Sequence, residues 1–252
     1  LRCSSSLIPR CCLSVAVEMP CATVRSRTID RKRNLLSLPS AAVFAFPLSK
    51  SVHTMPTTSL KYLFFDTETT GIPQNYKAPC TDTDNWPRLV QLGWILTDGE
   101  GLELGRGNRI VRPDGFEIPT AASDVHGITT ERALAEGEPL HDVMMAFGAD
   151  LNASNWLVGH NIDYDLHVVG TEYYRLGYDH RIMFARPYVC TMQATIDFCN
   201  IPGKYGPKWP KLQELYVRLF GHEFDGAHDA MADISATKDC FFELLNRGII
   251  RS

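Results

Sequence analysis

The sequence predicts an α/β domain that begins near residue 60, and three observations favour this fold class. Strand-length apolar runs alternate with helical patterns from Tyr62 onward. The 252 residues leave room for one sizeable domain and an appendage, and the hydrophobic content of 44% is ordinary for a globular protein. No apolar run approaches the roughly 20 residues that a membrane-spanning helix needs. We therefore expect no membrane partner.

The individual elements follow from the local pattern. Short apolar runs indicate strands, and longer amphipathic runs indicate helices. A Gly-containing turn at 98–101 joins two strands into a meander, and Gly248 ends the last helix. In chain order we expect strands near 61–66, 89–97 and 102–112, helices near 129–134 and 139–152, a strand at 156–159, a helix at about 164–176, a strand at 187–190, and helices near 191–199, 208–220 and 229–247.

Residues 1–59 differ in composition from the rest of the chain, and we treat them as a leader that precedes a domain at 60–252. The leader contains eight basic and two acidic residues, a formal charge of +6, whereas the remainder contains 17 basic and 27 acidic residues, a formal −10. A Ser/Arg-rich leader with few acids is typical of a mitochondrial transit peptide. The alternative is that residues 1–54, which precede Met55, are upstream translated sequence or a disordered tail. The expected location is intracellular: mitochondrial under the first interpretation, cytoplasmic or nuclear under the second.

Cysteine spacing excludes some classes of site. The eight Cys residues include no Cys-x-x-Cys pair, so the sequence predicts neither a zinc module nor a thioredoxin-like motif. A reducing compartment is the default expectation. The acidic domain also argues against a tight nonspecific binder of duplex nucleic acid.

Two carboxylates follow the first predicted strand. The apolar run ends in Asp66 and Glu68, which are two residues apart, and a turn at Gly71 follows. The period of two residues in a strand sends both side chains to the same face. Carboxylates that converge repel each other unless a cation or a shared proton relieves them, and Mg²⁺ or Mn²⁺ suits such oxygen ligands. The alternative is a strand end whose acidic and Thr side chains cap a turn.

Two further segments carry acids in a similar context. The run Leu157–Asp165 is a short apolar strand that leads into His160, Asn161 and Asp165, and the run His228–Asp233 opens the C-terminal helical pattern. With these three motifs in this order, the chain resembles the DEDDh (DnaQ-like) 3′–5′ exonucleases over about residues 60–247. That family includes the epsilon proofreading subunit of bacterial replicases, RNase T and the TREX enzymes.

The resemblance implies a ribonuclease H-like fold with a mixed five-stranded sheet flanked by helices. It also implies two ions, Mg²⁺ or Mn²⁺, per active site and a His general base. The carboxylate of the second motif falls on Asp165 and leaves Asp163 outside the pattern. Asp229 has an expected structural role as a helix cap. The implied metal ligands and catalytic residues are Asp66, Glu68, Asp165 and Asp233, with His228 as the base.

The implied chemistry is hydrolysis of phosphodiester bonds at 3′ ends. Two metal ions about 3.5–4 Å apart would activate a water and stabilise the leaving 3′-oxygen. His228, with an ordinary pKa of about 6.5, would accept the proton of that water. The expected products are nucleoside 5′-monophosphates, and no Cys/His or nucleophile-elbow pattern indicates covalent catalysis.

Three loops and the motif flanks are candidates for substrate contact. The His-Gly-Ile-Thr element at 126–129 resembles one that lies by the terminal nucleotide in these exonucleases, although a Gly turn before a Thr-capped helix explains it as well. Segments 73–88 and 202–211 place aromatic residues near the motifs, where they could stack on bases or belong to the core. The expected contacts are Thr67, Thr69, Trp86, His126, Gly127, Ile128, Asn161 and Trp209.

The expected partners are single-stranded DNA or RNA 3′ ends, with DNA favoured and a polymerase or dimer partner left open. Two alternatives to an active DNA exonuclease stay open. One is a catalytically idle DnaQ-like module that binds nucleic acid or docks on a polymerase, and the other is an RNase T-like enzyme that trims RNA 3′ ends. The complete set of five motif residues favours an enzyme, because an idle module is free to lose any of them.

Overall fold

The computed structural model of the protein describes residues 60–226 and 229–251. The predicted leader at 1–59 lies outside these residues. The strands are β1 (Lys61–Thr69), β2 (Leu89–Asp98), β3 (Glu103–Ile110), β4 (Trp156–Gly159), β5 (Tyr188–Cys190), β6 (Pro202–Gly203) and β7 (Gly206–Pro207). The helices are α1 (Thr120–His126), α2 (Thr130–Glu136), α3 (Leu140–Ala153), α4 (Ile162–Arg175), α5 (Thr191–Ala194), α6 (Ile196–Cys199), α7 (Leu212–Phe220) and α8 (Ala230–Asn246), with a 3-10 turn at His180–Met183. None of the helices in the described residues has the length and apolarity to cross a membrane.

A mixed sheet with the order β3-β2-β1-β4-β5 forms the centre of the domain. β1 pairs antiparallel with β2, and β2 pairs antiparallel with β3, which completes the expected meander. β4 runs parallel to β1 and to β5. The α/β fold class and the mixed five-stranded sheet flanked by helices are therefore confirmed.

The side chains of β1 alternate between two separate apolar clusters. Phe65 packs with Phe147 of α3, at 5.4 Å between ring centroids, on one face of the sheet. Phe64 packs with Phe241 of α8, also at 5.4 Å, on the other face. Each buried Phe contributes roughly 1.5–3 kcal/mol to folding. Asp66 lies two residues after Phe64, so its side chain points to the same face of the sheet. The acidic residues of β1 therefore emerge on the face that α8 covers.

Gly93 allows α8 to approach the sheet closely. It pairs with Asp66 across β1 and β2. A Cβ atom at this position would lie 2.5 Å from Cδ1 of Ile234, which is buried in α8. The small residue opposite Asp66 therefore brings the first turn of α8, with its acidic residue, towards the end of β1.

Two predicted helices need correction, and two observed elements were not predicted. Helix α1 was not predicted, because it buries none of its residues and so shows no apolar periodicity. The helix predicted at 191–199 is two short helices separated at Thr195, whose hydroxyl donates to the carbonyl of Thr191. The helix predicted from 208 begins at Leu212, after Pro210. The small β6–β7 hairpin, which lies within 202–207, was also not predicted.

The two ends of α8 agree with the sequence. The Asp229 carboxylate accepts hydrogen bonds from the N–H groups of Met231 and Ala232, each 3.0 Å long, so its predicted role as a cap is confirmed. Gly248, at φ 66°, donates to the carbonyl of Leu245 and ends the helix in the left-handed conformation that favours glycine.

Candidate active site

Three elements bring four carboxylates to one edge of the sheet. Asp66 and Glu68 lie on β1, Asp165 lies in the first turn of α4 and Asp233 lies in the first turn of α8. Burial, and then repulsion from Asp165 and the other two acids, raises the pKa of Asp66 well above its usual value. Burial, and then repulsion from Asp233 and Asp165, raises the pKa of Glu68 to about 7. The four predicted acids thus form one electrostatically coupled cluster.

Asp165 is positioned by Thr67. The Thr67 hydroxyl donates to Oδ1 of Asp165 at 2.7 Å, and its N–H donates to the same oxygen at 3.1 Å. Asp165 is 3% exposed, and this burial raises its pKa to about 7 although the two bonds from Thr67 oppose the shift. The Thr67 hydroxyl thus orients a carboxylate, and its predicted contact with substrate stays a prediction.

The chemistry of the four acids fits a divalent cation. Carboxylates that share a desolvated edge repel each other, and a cation relieves that repulsion. Oxygen donors of this kind suit Mg²⁺ or Mn²⁺. Within residues 60–226 and 229–251, no three acidic, His or Cys side chains already stand close enough together to hold an ion. The four oxygen donors fit the ion by their chemical type and charge.

Asp163 points away from the acidic cluster. Its Oδ2 accepts a hydrogen bond from Nε2 of Gln193 at 2.9 Å. It is also absent from the acids that shift the pKa of Asp66 or Glu68. Residues two apart on a helix face different directions. The structure thus groups Asp165, and not Asp163, with the acids of β1.

The predicted base, His228, lies outside the described residues. The residue that follows it, Asp229, caps α8, and the carbonyl of Asp229 accepts from the N–H of Asp233 at 2.9 Å. Helix α8, which begins directly after Asp229, carries Asp233 of the acidic cluster. The role of His228 as a base stays a prediction.

His160 has a structural role at the end of β4. Its Nε2 lies 3.0 Å from the carbonyl oxygen of Pro210, and its Nδ1 lies 3.0 Å from the hydroxyl of Thr191. Burial lowers the pKa of His160 to about 4. The ring is therefore neutral, and both of its nitrogens are hydrogen-bonded. Through the bond to Pro210 it holds the 202–211 segment against the second motif. Asn161 follows it at φ 72°, where it precedes α4 and faces two cavities.

The first cavity, of about 420 Å³, opens beside the acidic cluster. Glu68 forms its acidic wall, and Ile72, Tyr76, Val125 and His126 are among its other lining residues. The side chains of Ile72 and Val125 are 75% and 59% exposed, so they present apolar surface to a ligand. A cavity of this size, next to the acids, suits one nucleotide.

The His-Gly-Ile-Thr element borders this cavity through its first residue only. Nδ1 of His126 accepts from the N–H of Ile128, while its Nε2 is buried with no hydrogen-bond partner in the described residues. Burial lowers the pKa of His126, and the nearby Thr69 backbone offsets part of that shift. Ile128 is 1% exposed and packs beside Val90, so the expected substrate contact by its side chain is wrong. Gly127, at φ 72°, ends α1.

Thr69 connects β1 to α4. Its hydroxyl donates to the carbonyl of Gly71 at 2.7 Å and lies 2.6 Å from the hydroxyl of Tyr164, which also donates to Gly71. Tyr164 directly precedes Asp165 in the second motif, and it belongs to the site although the sequence analysis assigned it no role. Its position one residue before Asp165 was the signal that could have found it.

The two candidate tryptophans lie in different environments. Trp86 is 3% exposed, stacks on His167 at 4.9 Å and donates from Nε1 to the carbonyl of Ala78. The expectation that Trp86 stacks on a base is therefore corrected: it is a core residue that supports the 73–88 segment. Trp209 is 60% exposed and remains a candidate for substrate contact.

Arg175 anchors the 73–88 segment to α4, which sequence reasoning missed. Its guanidinium donates to Glu172, which is fully buried, at 2.9 Å. It also donates to three carbonyl oxygens of the segment at 2.6–3.2 Å, those of Thr83, Trp86 and Pro87. The long connection beside the site is therefore a fixed wall. No short-range pattern reveals these bonds, because the partners lie about ninety positions apart in the chain.

A second cavity, of about 590 Å³, adjoins the first. The two cavities share Tyr76, Asn161 and Tyr164 as lining residues. Asp163 and Trp209 also line the second cavity, whereas none of the four clustered acids does. The site thus consists of one compartment at the acids and one beyond a tyrosine partition.

The chain is similar in sequence to known exonucleases. The profile of the family described as Exonuclease (RNase T) matches residues 63–241. The chain is also 25% identical over 159 residues to DNA polymerase III subunit epsilon of Aquifex aeolicus, an alignment that covers 62% of this chain and 71% of that protein.

Solved structures of E. coli exonuclease I share the fold. The complex with a dA16 oligonucleotide has a TM-score of 0.60 and 24% identity, covering 75% of this chain and 41% of that one. The zinc-bound form of the complex with single-stranded DNA gives the same values. The chain spans 41% of the length of exonuclease I, so this likeness supports the fold of the domain alone.

Proposed function

Because the chain belongs to the exonuclease family, as a 3′–5′ exonuclease of the DnaQ-like group, we propose that it removes nucleotides from single-stranded or frayed 3′ ends with two divalent metal ions. The observation that carries this proposal is the coupled cluster of Asp66, Glu68, Asp165 and Asp233 beside a nucleotide-sized cavity. The products are nucleoside 5′-monophosphates. DNA is the favoured substrate, since the epsilon relative is a DNA polymerase subunit.

Different residues of the site have different roles in the proposed reaction. The four carboxylates would hold Mg²⁺ or Mn²⁺, which would supply Lewis-acid activation of a water and stabilisation of the leaving 3′-oxygen. Thr67 keeps the Asp165 carboxylate turned to the site through two hydrogen bonds. The apolar side chains of Ile72 and Val125, which line the first cavity, contact the terminal nucleoside.

His228 is the proposed proton acceptor for the attacking water. It stands one residue before the cap of α8 and five before Asp233. His160 is unsuited to this role because both of its ring nitrogens are engaged and burial lowers its pKa to about 4. His126 lines the cavity, and burial lowers its pKa as well.

The proposal is tested by degradation of 5′-labelled and 3′-labelled DNA and RNA oligonucleotides in Mg²⁺ or Mn²⁺. We expect 5′-labelled DNA to shorten stepwise from its 3′ end, and chelation by EDTA to stop the reaction. Alanine substitution of any acid of the cluster should reduce turnover to background while the fold survives, because each substitution removes a ligand. The matched control is Asp197→Ala, which removes an exposed acid from α6. Loss of label from the 5′ end first, or full activity in a cluster variant, would contradict the proposal.

A further inference from the structure

The second cavity places an unassigned carboxylate beside the path of the substrate. We propose that this cavity holds the penultimate nucleoside and that Asp163, together with Gln193, selects a base with an exocyclic amino group, adenine or cytosine, over thymine or uracil. The inference rests on the proposed function, since it takes the nucleotide in the first cavity to be the 3′-terminal one. It assigns a role to the acid of the second motif that the metal cluster leaves out.

The two cavities share part of their walls. The Tyr76 and Tyr164 rings, with centroids 6.5 Å apart, line both compartments, and Asn161 lines both as well. Only the first compartment contains a clustered acid, Glu68. A strand whose terminal nucleotide fills the first cavity therefore places its next nucleoside across the tyrosine partition.

The size and walls of the second cavity suit a nucleoside. Its volume of about 590 Å³ lies within the range of small-molecule sites, about 300–1,000 Å³. Tyr76 and Trp209 are 56% and 60% exposed, so each offers a ring face to a base. Lys77 lies in the lining and provides a cation for the phosphate on the 5′ side of this nucleoside. Trp86 closes the inner wall from the core.

Asp163 and Gln193 place acceptor groups in this cavity. The Asp163 carboxylate accepts from Nε2 of Gln193 at 2.9 Å and lies near the Tyr188 hydroxyl. A carboxylate offers about four lone-pair sites, so it has capacity for a further donor. The Gln193 amide offers its carbonyl oxygen as a second acceptor and retains one further N–H donor.

Acceptors of this kind distinguish the bases. Adenine N6 and cytosine N4 carry amino groups that donate to a carboxylate, whereas thymine presents a carbonyl oxygen at the corresponding position. A carbonyl opposite Asp163 would leave two acceptors facing each other, and an unmatched polar group is costly once water is displaced. The pairing therefore favours adenine or cytosine at the penultimate position.

The test is single-turnover release of the first nucleotide from oligonucleotides that end in dT and differ only in the penultimate base, dC, dA or dT. We expect wild-type protein to favour dC and dA over dT by about fivefold to tenfold in kcat/KM, in line with one charge-assisted hydrogen bond. Asp163→Asn should reduce this preference to about twofold or less, because an amide also donates to a carbonyl. The control Asp197→Asn should keep the wild-type preference. Gln193→Leu, which keeps the carboxylate, provides a second variant and should lower the preference partly.

A binding measurement separates this inference from the proposed function. The dinucleotides pdCpdT and pdTpdT are titrated against wild-type protein, Asp163→Asn and Trp209→Leu in EDTA, with tryptophan fluorescence as the readout. Tighter binding of pdCpdT by wild type, with the difference absent in Asp163→Asn, supports the subsite even if turnover is absent. Equal handling of all penultimate bases by active wild-type protein, or an unchanged preference in Asp163→Asn, would overturn the inference while leaving the exonuclease proposal standing.

Discussion

At the scale of single residues, the acidic cluster couples protonation to folding. Glu68 has a pKa of about 7 in the fold against an ordinary value of 4.5, and burial is the first cause. Between these values the folded, metal-free protein binds more protons than the unfolded chain. The contribution of Glu68 to the free energy of unfolding therefore decreases as pH rises through this window.

This sign leads to a prediction about Glu68→Gln in the absence of metal. We expect the variant and the wild type to have similar melting temperatures near pH 4, where Glu68 is protonated in both states, and the variant to be the more stable at about pH 8. Thermal unfolding in EDTA at a series of pH values measures this difference. Added Mg²⁺ should stabilise the wild type, and much less the variant, at the higher pH. An equal difference in melting temperature between the variant and the wild type at every pH would contradict the raised pKa of Glu68.

A second prediction at this scale concerns the proton acceptor. Replacing His228 by Ala should lower turnover by roughly 10²–10⁴-fold, the usual contribution of a general base. Metal affinity should change little, since the four carboxylates remain. The wild-type pH–rate profile should rise through a group that titrates near neutrality, and that limb should vanish in the variant. A persisting limb would assign the proton acceptor to another group.

At the scale of elements, the two segments beside the site differ in what holds them. The 73–88 segment is tied to α4 by Arg175 and by the burial of Trp86. The segment that carries Trp209 is held through the bond between His160 and Pro210, and the Trp209 ring itself stays exposed. One tryptophan is therefore part of the core and the other part of the surface.

Truncation of these tryptophans should separate stability from binding. We expect Trp86→Ala to reduce the free energy of unfolding by about 3–5 kcal/mol, as for a large core residue. Trp209→Ala should keep the wild-type stability and weaken binding of single strands by about 1–3 kcal/mol, the effect of losing one stacked base. Urea unfolding and oligonucleotide titration measure the two quantities. Equal destabilisation by both substitutions would place Trp209 in the core as well.

Strands were predicted better than short helices, for a physical reason. The apolar alternation of β1 and the meander turn at 98–101 are local signals, and both elements occur where they were expected. Helix α1 lacks a buried face, and the break at Thr195 depends on a side-chain bond to the backbone. Such features leave no apolar period in the sequence, so pattern reasoning misses them.

At the scale of the whole molecule, the uneven charge of the chain predicts a salt-dependent role for the leader. A protein that begins at Met55 should keep the melting temperature and turnover of the full chain, because the first core strand starts only at Lys61. The eight basic residues of the leader should strengthen substrate capture at low salt only, since screening suppresses such attraction at physiological ionic strength. Melting curves and KM values at two salt concentrations check this. A large drop in melting temperature on truncation would show that the leader belongs to the fold.

The alternation of apolar runs and helical patterns predicted the fold class, and the resemblance of the motifs to those of DnaQ-like exonucleases favoured Asp165 over Asp163, because both signals are properties of the chain. Local patterns and motifs do not predict contacts between distant segments of the chain. The structure shows a hydrogen bond from Thr67 to Asp165, packing that buries Trp86, and a tyrosine pair between the two cavities. Each of these features depends on residues that are far apart in the chain. Burial and hydrogen-bond partners arise only when helices and strands pack, so the three-dimensional structure was needed to divide the candidate residues between core, support and substrate surface.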